Sequence, residues 1–181
     1  GNIPPAQNAL SETNVELGAT ALNAHMPIYG YITYANGDFL DNNPEYVQRV
    51  LAGYSHALGW VMLNPREAVE FMRVDVNQAL QTQEVETQME VVKVALIASN
   101  LTEEAESRGM CALSEDKLQA TFDNLTDALD LGDTPPSTDD FYAREINQNA
   151  ELRQFSSSEW DTAVENAQPY VDLYKGRSNS V

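Results

Sequence analysis

Cysteine is almost missing from these 181 residues: Cys111 stands alone, which excludes an internal disulfide framework and a cysteine metal cage. Histidine is nearly as scarce. His25 and His56 fall on different predicted elements, with no carboxylate at ligand spacing, so the pattern assigns each to the surface or to packing rather than to metal. Basic residues are few, 10 Lys and Arg against 28 Asp and Glu, for a formal net charge of -18. Without a Lys/Arg cluster there is nothing to neutralise phosphates, which argues against nucleic-acid binding and against a membrane-surface helix. No apolar run reaches transmembrane length, and Gly1-Asn2-Ile3-Pro4-Pro5 does not read as a signal peptide.

What remains is 43% hydrophobic and 21% charged, ordinary for one globular domain and long enough to bury a core. The acidic excess reads as a solvated, self-repelling surface suited to a secreted or salt-exposed protein. Two Asn-Pro pairs are the only internal echo.

The most informative stretch is Met26 to Met72. Pro27 to Tyr34 is rich in aromatic and β-branched residues and predicts a strand, broken by Asn36-Gly37-Asp38. Asn43-Pro44-Glu45 then predicts a helix start, with Asn43 as N-cap and Pro44 where no backbone donor is missed. Val47, Val50, Leu51, Tyr54, Leu58, Val61 and Met62 follow at helical spacing as one apolar face. Asn64-Pro65-Arg66-Glu67 ends that helix and begins another.

Around this stretch the elements are weaker. Ala6 to Leu17 predicts a helix stopped by Gly18, and Ala19 to Ala24 a short strand. Asp75 is placed to cap a long helix over 76–98, with Leu80, Val85, Met89, Val92 and Leu96 inward. A short segment from Asn100 ends at Gly109. Ser114 caps a helix to Leu131, with Leu118, Phe122, Leu125 and Leu129 inward and Gly132 as its stop. Asn147 to Gln154 reads as loop or fraying helix, Ser156 starts a final helix, and Lys175 to Val181 is a tail.

Tyr29-Gly30, Asn43-Pro44-Glu45, Asn64-Pro65-Arg66-Glu67-Ala68, the turn at Glu106 to Gly109 with Ser114 to Gln119, and Asp139 to Glu145 occur in one order and spacing. In this the chain resembles the C-terminal half of ABC-transporter solute-binding proteins of the thiamine-pyrimidine-precursor, sulfonate and nitrate group, over roughly Ala6 to Ile146. The resemblance implies an α/β, two-lobed periplasmic-binding-protein fold (type II), of which this chain supplies a mostly helical C-terminal portion. Residues 1–27 would end the second lobe, 28–35 would be a crossover or hinge strand, 36–146 the helical part of the first lobe, and 147–181 an extension. It further implies export, periplasmic or cell-surface, with a signal peptide upstream, a missing N-terminal half of the same protein, and an ABC permease as partner.

No catalytic constellation is readable. Cys111 has no base beside it and reads as a small buried side chain. Asn100-Leu101-Thr102 and Asn124-Leu125-Thr126 match a glycosylation pattern common by chance. The strand aromatics are better candidates: alternation puts Tyr29 and Tyr31 on one face, where amphipathic rings suit a cleft for a small organic ligand. Tyr29, Gly30 and Tyr31 are therefore the expected ligand-binding residues, with no cofactor and no metal. The expected function is capture of a small nitrogen- or sulfur-containing solute between lobes. An enzyme of pyrimidine-precursor synthesis on the same fold, or a helical interaction fragment with no ligand of its own, are the alternatives.

Overall fold

In the computed structural model, the structure describes Tyr29 and residues 32–129 and 137–173. The predicted helix and strand before Met26, Gly30, Tyr31, the Gly132 stop and the tail from Lys175 lie outside the described residues. The described chain is mostly helical: α1 Gly37–Asn42, α2 Pro44–Leu63, α3 Pro65–Phe71, α4 Val85–Val92, α5 Glu103–Arg108, α6 Glu115–Leu129, α7 Thr138–Phe141, α8 Arg144–Asn149 and α9 Ser157–Asn166. No strand occurs among the described residues. Tyr29 and Ile32 to Ala35, the described part of the predicted crossover strand, are irregular, and no ladder partner for them occurs among the described residues.

Both Asn-Pro starts hold, but not as capping side chains. Asn43 and Asn64 take nearly the same backbone conformation (φ -138, ψ 45 and φ -132, ψ 56) and neither accepts a helix N–H through its side chain. Each amide turns backwards instead. Asn43 Nδ2 donates to Phe39 O and Asn64 Nδ2 to Trp60 O, both at 3.0 Å, so each amide bonds the last turn of the helix it ends; Trp60 O also accepts the Asn64 backbone N–H at 2.9 Å. Proline at the next position then restarts the helix.

The long helix expected over 76–98 is broken. Met72–Val76 is a π turn, Gln78–Thr82 a 3-10 turn, and α4 begins only at Val85, running into a second π turn at Lys93–Ile97. Asn77, not Asp75, caps, its side chain accepting from Ala79 N while its backbone is extended. Gln88 bridges back to Leu80 O at 2.7 Å, tying the interrupted pieces together.

The core forms where α2 meets α8, α9 and the Lys93–Ile97 turn. Met62, Ile97, Ala98, Ala105, Met110, Ala163 and Ala167 are its buried members. The α2 face is narrower than its apolar pattern predicts: Ser55, Gly59 and Met62 are buried, Val47, Leu51, Leu58 and Val61 half-buried, while Val50 and Tyr54 are exposed. The inward line on α6 is likewise short, with Leu118 buried, Phe122 half-buried, and Leu125 and Leu129 exposed.

What covers Ser55 and Gly59 is the segment read from sequence as loop or fraying helix. Residues 150–155 run across α2, and a Cβ on Gly59 would stand 2.7 Å from Arg153 Cγ. Met110 N donates to Arg153 O at 2.9 Å, and Gln154 Nε2 donates to Arg108 O at 2.7 Å. Gly109 ends α5 with φ 102, a region that favours glycine, and a Cβ there would meet Gln154 Nε2 at 2.4 Å. Ser156 and Glu159 then close a reciprocal capping box on α9.

Candidate functional site: the Tyr29 cradle

Ser114, Lys117 and Thr121 lie at helical spacing on one face of α6 and its cap, and Tyr29 sits against all three. Its backbone N–H donates to Thr121 Oγ1 at 3.0 Å, and that hydroxyl donates in turn to Lys117 O at 2.8 Å. The phenolic oxygen accepts the Ser114 N–H at 2.8 Å, one of the orphan donors of a helix start. Over the ring, Lys117 Nζ stands 4.8 Å from the centroid, within cation–π range, and the same ammonium is 3.7 Å from Glu104 Oε1.

Burial pushes the Tyr29 phenol up to about 12; the Ser114 bond opposes that, and the charge of Glu104 adds to it. The ring is therefore neutral over the physiological range. Its oxygen is occupied as an acceptor, while no described acceptor receives its proton. The arrangement can hold an aromatic wall with one O–H donor at its rim. It cannot act as a general base.

The turn beside the cradle is held from several sides. Arg108 donates to Leu113 O at 2.8 Å. Asn147 donates to Cys111 O at 3.0 Å, and its own oxygen accepts from Tyr142 at 3.1 Å. Arg144 grips Glu115 with two nitrogens, at 2.5 and 2.9 Å, and reaches Asp139 at 3.1 Å. That fork anchors α7 and α8 to the start of α6. The hydrogen bond from Arg144 lowers the Glu115 carboxyl below its usual value.

Of the three expected ligand-binding residues, Tyr29 has this defined environment; Gly30 and Tyr31 lie outside the described residues. Tyr34, the third aromatic of that stretch, is 92% exposed. Cys111 is half-buried at φ 71, and burial pushes its thiol up to about 11, the opposite of an activated nucleophile. His56 is exposed on α2. Thr102 of the first glycosylation match is the side-chain cap of α5, accepting from Ala105 N at 3.2 Å. Among the described residues no group of His, Cys, Asp and Glu is arranged to hold a metal, and no helix is long and apolar enough to cross a membrane.

Sequence reading missed the cradle. Its signal was a Ser-x-x-Lys-x-x-x-Thr face at the start of a helix, polar positions where an amphipathic reading looks only for the apolar ones. Compared with protein-family models, curated proteins and solved structures, the chain has no significant match.

Proposed function

We propose that this chain is the helical C-terminal part of a two-lobed α/β solute-binding protein, type II in architecture, serving an ABC importer outside the cytoplasmic membrane. Its solute is a small nitrogen- or sulfur-containing organic compound, a thiamine pyrimidine precursor, a sulfonate or similar, held without covalent chemistry between the lobes. The observation that carries the reading is Tyr29. It is clamped on α6 immediately before an irregular exposed segment, Ile32 to Asn36, so a fixed ring stands beside a stretch able to absorb a dihedral change. In this reading the Tyr29 ring walls the cleft and its O–H donates to an acceptor on the solute, while solute binding selects the closed arrangement of lobes. Gly30 and Tyr31 are proposed as ligand-binding residues alongside Tyr29.

The test is calorimetric titration of the complete two-lobed protein with a thiamine pyrimidine precursor, an alkyl sulfonate and nitrate. One class binds at about micromolar affinity or tighter, about -8 kcal/mol. Absence of binding heat for all three classes overturns the solute assignment.

A further inference from the structure

Like charges stand together on the outer faces of these helices. Glu67 and Glu70 on α3, Asp123 and Asp127 on α6, and Asp161 and Glu165 on α9 are exposed pairs three or four residues apart. Such neighbours are about 5–6 Å apart at Cβ, and like charges there destabilise a helix. Five of the ten basic residues already pair with other carboxylates: Arg66 with Glu86, Lys93 with Glu90, Lys117 with Glu104, Arg144 with Glu115 and Asp139, and Arg153 with Glu159. With 28 acidic and 10 basic residues in the chain, protein charges cannot supply the remainder.

The core opposing this repulsion is light. Ala68, Ala98, Ala105, Ala163 and Ala167 make up much of its buried apolar set, and among the described residues no Phe, Tyr or Trp is fully buried. Alanine removes little apolar area from water compared with the larger side chains. Repulsion therefore weighs more here than in a fold with an aromatic core.

We infer that this chain is an ionic-strength-dependent fold, fully ordered only in a medium where small cations at about molar concentration screen its carboxylates. The threshold follows from lengths. At ordinary salt the screening length is about 8 Å, longer than the about 5–6 Å between the Cβ atoms of such a pair, so their repulsion persists. At about 1 M it is about 3 Å, shorter than that spacing, and the pairs cease to oppose the helices. The medium in which this protein works is accordingly a concentrated salt solution.

The experiment is a thermal melt of the 181-residue chain by circular dichroism in sodium chloride. From about 0.05 M to about 2 M the midpoint is expected to rise by about 10 °C or more. A second protein carries Glu67→Gln, Glu70→Gln, Asp123→Asn, Asp127→Asn, Asp161→Asn and Glu165→Gln, all at exposed positions. It is expected to melt higher than the parent at low salt and to show less than half the parent's salt response. A parent midpoint that does not change over the range overturns the inference. So does an equal salt response in both proteins, which would assign the effect to general salting-out of apolar surface.

Discussion

Ser55 Oγ donates to Met110 O and accepts from Arg153 N, both at 2.8 Å, so one fully buried hydroxyl joins α2 to two segments that follow it by 55 and 98 residues. Met110 N closes the figure on Arg153 O. An orphaned buried polar group costs about 1–3 kcal/mol, and Ser55→Ala leaves two. The expected result is a fall in the urea midpoint at unchanged slope, larger than that of Ser107→Ala, whose hydroxyl donates to Glu103 O within its own turn at an exposed position. An Ala variant with the parent's midpoint would show the bridge to be energetically idle.

Two glycines make room for the same crossing segment, and they should respond unequally to alanine. At Gly59 the obstacle is Arg153 Cγ, part of a flexible side chain that can shift. At Gly109 the added Cβ meets Arg153 O at 3.2 Å as well as Gln154, and φ is 102. Gly109→Ala should therefore destabilise more than Gly59→Ala, by about 1–3 kcal/mol for the backbone conformation alone. Chemical denaturation of the two variants side by side decides it.

Acid should release the fork that holds α7 and α8 to α6. Hydrogen bonding from Arg144 depresses the folded-state Glu115 carboxyl below the ordinary 4.5. A depressed carboxyl contributes stability above its unfolded value and loses it as pH falls through the folded one. Glu115→Gln should thus melt below the parent at neutral pH, and the gap should close in acid below about pH 4.5. A gap that persists unchanged into acid would remove the Arg144 pair from the explanation.

At the alkaline end the sign reverses. The Tyr29 phenol is raised from 10.0 to about 12 by burial, so the cradle contributes stability below pH 10.0 and loses it as pH rises through about 12. Burial raises Tyr142 as well, so phenolate absorbance should show two late-ionising tyrosines in the parent and one fewer in Tyr29→Phe. If the late-titrating amplitude is undiminished by that substitution, the ring is not buried against α6 as described.

How far the fold was legible follows from which forces act locally. Pro44 and Pro65 fix helix starts through their own rings, and Gly109 marks a positive φ, so these boundaries were readable from single residues. Asn43 was read as capping the helix ahead, whereas its amide serves the helix behind, as Asn64 does at the end of α2; a short amide can serve either, and only geometry chooses. Tyr54, Leu125 and Leu129 were expected inward because periodicity marks an apolar stripe without saying how much of it another element covers. Ser55 and residues 150–155 went unrecognised because the bond between them spans 98 residues. Polarity suggested a surface loop, whereas a backbone segment can cross a helix wherever small side chains admit it. For the site, the aromatic run drew attention to Tyr29, but its partners Ser114, Lys117 and Thr121 are ordinary polar residues until tertiary structure gathers them.

The claim that Tyr29 lines a solute cleft is tested most directly by the affinity of the complete protein carrying Tyr29→Ala, measured by calorimetry against the solute class that the parent binds. Losing an aromatic contact and a donated hydrogen bond should weaken binding by about 1–3 kcal/mol, roughly fivefold to 150-fold. Tyr29→Phe should lose only the hydrogen-bond share, about 0.5–1.5 kcal/mol. Parent-like affinity in Tyr29→Ala, with the helices intact by circular dichroism, would contradict the account and leave the Tyr29 ring a packing element of α6.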